Sequence, residues 1–286
     1  MKLGIVIVLY NPDIRHVSSI VNSFLSHNVS VALIDNSPES KAFTAESASH
    51  YLHFPENIGI AKAQNEGMRL LFDEDCERVM LLDQDSHITV TDLFKLNGQF
   101  SEIASSRFIA AIGPSILCEF SNTIEKPRVQ REQKSDNEVK QVRQIIASGM
   151  LLSKEAFECV GAKEVELFID GVDHEWCWRA AVKGFGVYKS ELVVMRHKQG
   201  DDRVRCCGIT FKQGAPVRLY YQFRNIFILT RRGYVPFYWK IRNLFAIPIR
   251  YFVNRFVFTN GSERARYMHQ GIKDGLGDSR GRIKKI

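Results

Sequence analysis

Over residues 1–200, short apolar runs alternate with stretches whose apolar residues recur at helical spacing. Leu3 to Leu9 is an unbroken apolar run rich in Ile and Val, which predicts a buried parallel strand. Asn11-Pro12-Asp13 is a turn, after which Ile14, Val17, Ile20, Val21, Phe24 and Leu25 fall on one helical face. Val29 to Ile34 predicts a second strand, stopped by Asp35-Asn36-Ser37-Pro38. A short strand around Tyr51 to Phe54 leads to Pro55-Glu56-Asn57-Ile58-Gly59, and Ile60 to Phe72 has a helical pattern. Val79 to Leu82 is a further apolar run that ends in Asp83-Gln84-Asp85-Ser86.

The pattern continues with strands at Phe108 to Ile112 and Gln144 to Ser148, and a short helix from Lys154 to Val160. Between them, about Ser121 to Lys140 is polar, lacks an apolar period and reads as a mobile loop. Val172 to Lys183 is a helix closed by Gly184, and Val187 to Met195 carries one or two strands ending at Arg196-His197. Strands alternating with helices predict an α/β domain, its mostly parallel sheet flanked by helices on both faces. Beyond Gly200 the texture becomes aromatic and basic, in Arg218 to Arg232 and again in Pro236 to Phe258, and the chain from Asp274 onward reads as a frayed tail. The expected division is a catalytic-looking domain over 1–200 and a helical segment over 201–286.

Charge sharpens that division. The net charge of +7 conceals 18 Lys and Arg against 5 Asp and Glu in residues 201–286, a net of +13. Residues 1–200 carry a net of −6. A basic, aromatic segment suits an anionic partner, either a membrane surface or nucleic acid. The six cysteines form no Cys-x-x-Cys pair and do not suggest a disulfide scaffold, so a reducing cytosol is the expected compartment. The run from Met1 to Tyr10 is too short, and lacks the cleavage signature, for a signal peptide. No stretch reaches the roughly 18 apolar residues of a membrane span.

Five places could carry chemistry. Asp83 and Asp85 lie two residues apart at a strand end, where ligands bind in open α/β sheets. If the extended backbone persists, both carboxylates face one side and offer hard oxygen ligands for Mg²⁺ or Mn²⁺ beside a diphosphate. The other reading is a polar turn. Asp35, with Asn36 and Ser37, can accept a hydrogen bond from the N3–H of uracil or thymine, or can cap a turn. In the run Asn57-Ile58-Gly59-Ile60-Ala61-Lys62-Ala63-Gln64-Asn65-Glu66-Gly67, small residues would let a diphosphate approach a helix N-terminus, or let the helix pack closely on the sheet. Asp170, Asp173 and Glu175 cluster at a helix start, which their charge stabilises and where one could act as a general base. His197 ends a strand, as Asp83 does, and imidazole suits Mn²⁺.

Taken together and in order, these motifs resemble family 2 glycosyltransferases of the GT-A fold. The residues that carry the resemblance are Tyr10-Asn11, Asp35-Asn36-Ser37, the Asn57 to Gly67 run, Asp83-Gln84-Asp85, Ser148-Gly149-Met150, Asp170-Gly171-Val172-Asp173-x-Glu175-Trp176-x-x-Arg179 and His197. With the late Tyr220-Tyr221-x-x-Arg224-Asn225, the chain looks most like bacterial rhamnosyltransferases that build O-antigen or related surface polysaccharides from dTDP-L-rhamnose. Many relatives have Glu-Asp where this chain has Asp170-Gly171; alignment through Val172 to Arg179 puts the base at Asp173, with Asp170 next.

The resemblance implies inverting transfer to a lipid-linked saccharide. Asp85 and His197, with Asp83, would hold Mg²⁺ or Mn²⁺. Asp35, Asn57, Gly59, Asn65 and Asp83 would line the sugar-nucleotide site. The basic segment would then contact a membrane rather than nucleic acid, on the cytoplasmic face of the plasma membrane. Other family donors, such as UDP-galactofuranose, and a non-catalytic adaptor built on the basic segment are the alternatives. A nucleotidyltransferase would favour a Gly-rich N-terminal loop where this chain has Tyr10-Asn11-Pro12.

Overall fold

The computed structural model describes residues 1–40, 48–118, 123–124, 135–136, 138–197, 202–206 and 209–284. Its strands, in chain order, are β1 (Lys2–Leu9), β2 (Ser30–Asp35), β3 (His50–His53), β4 (Cys76–Asp83), β5 (Ile109–Cys118), β6 (Thr123–Ile124), β7 (Ser135–Asp136), β8 (Val139–Val142), β9 (Met150–Ser153), β10 (Gly186–His197), β11 (Asp202–Cys206) and β12 (Ile209–Gln213). The helices are α1 (Ile14–Leu25), α2 (Ile60–Asp73), α3 (Val90–Ala104), α4 (Lys154–Val160), α5 (Val172–Val182), α6 (Pro216–Thr230), α7 (Phe237–Phe256) and α8 (Gly261–Leu276).

The main sheet has the order β3-β2-β1-β4-β9-β5-β10-β8-β7, with β6 on β5. Strands β3, β2, β1, β4, β5 and β10 all run the same way, while β9 is inserted antiparallel between β4 and β5. Strand β1 shows why the first run is apolar throughout. Its Ile5, Ile7 and Leu9 join a core with Val17, Phe24, Leu93 and Phe100 of α1 and α3, and Val6 and Val8 join a second core with Met68, Leu71 and Trp176 of α2 and α5. Both faces are covered, so neither set of alternate residues faces water. Helix α2 approaches closely at Gly67, where a Cβ would lie 2.5 Å from Val6 Cγ1.

Four expectations change. Helix α3 lies where no element was read; Thr89 and Asp92 form its capping box and Val90, Leu93, Leu96 and Phe100 its buried face. Gln144 to Ser148 is not a strand, because its donors turn elsewhere: Ala147 N–H donates to Asp173 Oδ2, and the strand begins at Met150. Of the expected loop at 121–140, the described residues 123–124, 135–136 and 139–140 lie in strands, β8 pairing with β10, and the remainder except 138 lies outside the described residues. The chain after Asp274 is docked rather than frayed, since Gly281 N–H donates to Glu166 O at 2.8 Å and Ile283 N–H to Tyr221 Oη at 3.1 Å.

The segment beyond 200 starts with a hairpin, β11–β12, before its three helices. Helices α6 and α8 share a core of Leu219, Phe223, Ala265 and Met268. Gly271 permits their contact, because a Cβ there would lie 2.4 Å from Tyr220 O. Helix α6 also joins the α/β part, with Ile228 and Leu229 packed against Ala61, Leu167, Val172 and Trp178.

Candidate active site

The carboxyl ends of β1, β2 and β4 meet at one edge of the sheet. Leu9 stands opposite Asp35, and Val8 opposite Asp83. The loops beyond them are laced together. Tyr10 N–H donates to Gln84 Oε1 at 2.7 Å, Gln84 Nε2 donates back to Tyr10 O at 3.1 Å, and Asn11 N–H donates to Ser37 Oγ at 2.8 Å. Asn36 reaches the next loop by accepting from Ile58 N–H at 3.3 Å. Asp35 is fully buried; its Oδ1 accepts from Ser37 N–H and its Oδ2 from Tyr51 Oη, each at 2.8 Å. A nucleobase reading Asp35 would need neighbours such as Tyr51 to move aside, since none of its surface is exposed.

Strand β4 ends at Asp83, and the backbone turns there. Ser86 N–H donates to Asp83 O, and Asp83 N–H to Ser86 Oγ, both at 3.0 Å. The extended conformation that would align Asp83 with Asp85 therefore stops at the first of them. Asp85 sits exposed on the turn. Asp83 is half-buried and its Oδ2 accepts the Ser148 hydroxyl. Two residues after Asp85, His87 pairs as an antiparallel bridge with Arg196, which brings this turn to the end of β10, where His197 lies. The His197 side chain is outside the described residues. Among the described residues, no three His, Cys, Asp or Glu side chains are gathered as a ready metal site.

The loop before α5 carries the second half of the site. Phe168, Asp170 and Gly171 have φ of 63°, 65° and 88°, a left-handed backbone costly for the two non-glycine residues. Helix α6 holds it. Asn225 Nδ2 lies 3.0, 2.8 and 2.8 Å from the carbonyls of Leu167, Ile169 and Asp170, sharing its two protons among them. Buried Arg224 donates to the carbonyls of Glu166 and Leu167, each at 3.0 Å. Arg218 forks onto Asp170, with both carboxylate oxygens at 2.9 Å.

The same loop closes the start of α2. Phe168 O accepts from Ile60 N–H at 2.9 Å and lies 3.5 Å from Ala61 N. Gly59, at φ 83°, leaves room for the Phe168 ring, which a Cβ would meet at 2.7 Å. Asn57 Oδ1 accepts from Gly59 N–H at 2.9 Å. These first N–H groups, expected to be open to a diphosphate, are thus capped by the protein itself.

Asp173 lies in the first turn of α5. Its Oδ1 is 2.6 Å from Lys163 Nζ, and its Oδ2 accepts from Ala147 N–H at 3.0 Å. Lys163 Nζ also donates to Gln64 Oε1 at 2.8 Å. Asn65, expected against the sugar nucleotide, is buried beneath this group. Its amide accepts from Lys163 N–H at 2.9 Å and donates to Lys163 O at 2.8 Å. The Ala147 N–H binds Asp173 while the side-chain hydroxyl of its neighbour Ser148 binds Asp83, so two consecutive residues link the two carboxylates. Lys163, Gln64 and Arg218 were not singled out from sequence: apart from the Lys163–Asp173 pair their partners are remote in the chain, and no local spacing marks them.

No protein-family model matches the sequence. The chain is 34% identical over 251 residues to the dTDP-rhamnosyl transferase RfbF of Shigella flexneri, covering 84% of this chain and 83% of that protein. The chain belongs to the rhamnosyltransferase-like family 2 glycosyltransferases. It is also 26% identical over 243 residues to the low-salt glycan biosynthesis hexosyltransferase Agl10 of Haloferax volcanii, covering 79% of this chain and 74% of that protein. Two solved structures share the fold. GalNAc-T7, crystallised with UDP, GalNAc and Mn²⁺, matches with a TM-score of 0.55 at 14% identity, and S. aureus TarS with 0.56 at 13%. Each match covers 97% of this chain, which spans 56% and 49% of those two chains.

In this glycosyltransferase the remaining charges of α5 are structural. Glu175 is fully buried and holds Arg179 at 2.6 and 3.1 Å and the Tyr234 hydroxyl at 2.7 Å. Burial, with the hydrogen bond to Glu175 adding to it, pushes the Tyr234 hydroxyl up to about 12, although Arg232 pulls the other way. Gln144 Nε2 donates to His174 Nδ1 at 3.2 Å, its Oε1 accepting from Trp178 Nε1, and burial holds the His174 imidazole below the ordinary value. Glu175 therefore anchors α5, whereas Asp173 of the same helix start meets the Ala147–Ser148 segment that also binds Asp83.

Proposed function

We propose that the transferase moves L-rhamnose from dTDP-L-rhamnose, with inversion, to a lipid-linked saccharide in surface polysaccharide synthesis. The donor is supported by the 34% identity to a dTDP-rhamnosyl transferase. The observation that carries the mechanism is the pair of neighbours Ala147 and Ser148, whose N–H and side-chain hydroxyl tie Asp173 to Asp83 at the carboxyl edge of the sheet. Asp173 acts as the general base, taking the proton of the acceptor hydroxyl as that oxygen attacks the anomeric carbon and the nucleoside diphosphate leaves. The alignment through Val172 to Arg179 favours Asp173 over Asp170, the other candidate, which the Arg218 fork ties to α6, where it orients the loop.

Asp85, Asp83 and His197 are the residues that would hold Mg²⁺ or Mn²⁺. Their chemistry fits: two carboxylates stand on one turn, and the His87–Arg196 bridge brings the strand of His197 to it. Bound there, such an ion supplies charge neutralisation at a diphosphate. Asp35 reads the base, with Asn57 and Gly59 shaping the donor site and Asn65 supporting it through Lys163. Membrane contact through residues 201–286 would place the enzyme on the cytoplasmic face of the plasma membrane.

Thermal stabilisation by a panel of nucleotide sugars, with and without Mn²⁺ or Mg²⁺, tests this reading. A metal-dependent shift specific to dTDP-rhamnose, lost in Asp85→Asn, is expected. A shift with UDP-galactofuranose in its place would overturn the donor assignment and leave the enzyme class standing.

A further inference from the structure

Helix α7 turns an apolar face to solvent. Phe237, Phe245 and Phe256 are 76%, 75% and 65% exposed, and Ile249 and Phe252 are 54% and 57% exposed. With Ile241 they fall on one side of the helix, while Asn243, Val253 and Asn254 on the other are buried. A continuous face of aromatic and aliphatic side chains is much more than the scattered exposed apolar residues of an ordinary surface. No helix among the described residues is long and apolar enough to cross a membrane, and α7 itself carries Lys240, Arg242, Arg250 and Arg255.

Beside this face is a hollow of about 460 Å³ between α7 and α8. Arg255, Arg266, Lys273 and His269 line it, with Ser262 and Gln270, and the lining contains no carboxylate. Arg255 belongs to both features, because its guanidinium lies 5.4 Å from the centre of the Phe256 ring. An apolar stripe and a cationic hollow thus share an edge.

We propose that α7 lies in the interface of an anionic bilayer, its phenylalanines among the acyl chains and the α7–α8 hollow taking lipid phosphate groups. Charge selects this occupant over a second copy of the chain. Two copies joined through α7 would bring two segments of net +13 together, whereas an anionic membrane supplies apolar depth and opposite charge at once. The proposal rests on the reading of residues 201–286 as the membrane-facing part and names the surface that does it. It is independent of which sugar is transferred.

Co-sedimentation of the full chain with vesicles tests it, using phosphatidylcholine alone and phosphatidylcholine mixed with phosphatidylglycerol. The wild type is expected to bind the anionic vesicles, less so at high salt. Phe245→Glu with Phe252→Glu should reduce that binding by about tenfold or more with an unchanged melting temperature, since both side chains are exposed. Arg266→Glu with Lys273→Glu should remove the preference for anionic lipid. If the phenylalanine variant binds as the wild type does, α7 is not the docking face, although the membrane reading of the segment survives. If the wild type binds neither vesicle, both fall. If light scattering shows a wild-type dimer that the phenylalanine variant converts to a monomer, the stripe is a self-association face and the proposal is overturned.

Discussion

Lys163 Nζ and Asp173 Oδ1 are 2.6 Å apart, with the lysine side chain wholly buried and the aspartate 26% exposed. The ammonium approaches from inside the protein, seated on Gln64 and fixed through its backbone by Asn65. The carboxylate is thus held from below, with its remaining surface toward solvent.

This pairing allows structure and catalysis to be separated at Asp173. Asp173→Asn leaves a buried ammonium without its counter-charge, which should cost about 2 kcal/mol of stability, below the value for a fully buried pair because the carboxylate is partly exposed. Adding Lys163→Met removes that unpaired charge, and chemical denaturation should show most of the stability recovered. Transfer activity should remain about a thousandfold down in both variants. Recovery of activity in the double variant would mean that Asp173 serves only as the lysine's partner.

Asn225 should matter to turnover although it lies on α6. Asn225→Ala would strip the loop carbonyls of Leu167, Ile169 and Asp170 of their donor, where the backbone is left-handed at Phe168 and Asp170. A loss of about 2 kcal/mol is expected in thermal or urea unfolding. The turnover number should fall more than the donor affinity measured by calorimetry, because the loop leads directly into Asp173. Equal losses in both would place the effect on the fold in general.

His174 gives the enzyme a stability that depends on pH. Burial holds its imidazole below the ordinary value, against Asp173 and Asp170, which pull it up. The unfolded chain then takes up the proton first as pH falls. The contribution is fully present above about pH 6.5 and is lost below it, toward the lower value of the folded protein. Urea midpoints at pH 7.5 and 5.5 should show less of this acid loss in His174→Gln than in the wild type. An identical slope in the two proteins would sink the assignment.

The elements with a strongly apolar buried surface were readable in sequence, β1 on both its faces and α2 on one, because periodicity records burial directly. The same logic should have found α3, whose Thr89-x-x-Asp92 box and Val90, Leu93, Leu96 and Phe100 spacing are in the chain. Gln144 to Ser148 misled because Ile145 and Ala147 are buried there without any ladder, the Ala147 donor turning to Asp173. At the site, Asp83 and Asp173 stood out as acidic residues at element ends. Lys163 did not, since its neighbours Gln64 and Asn65 lie 99 and 98 residues away in sequence. The exposed face of α7 was equally hidden: mixed aromatics and arginines look alike on paper whichever side the fold covers.

The short connection through Ala147 and Ser148 makes Asp83 and Asp173 mechanically one object. Any replacement that shifts these two residues will disturb both carboxylates together. If Asp83 serves the donor and Asp173 the acceptor, as proposed, reworking the enzyme toward a different nucleotide sugar would have to retune the acceptor side in the same step, and mutations here should show strong epistasis rather than simple sums.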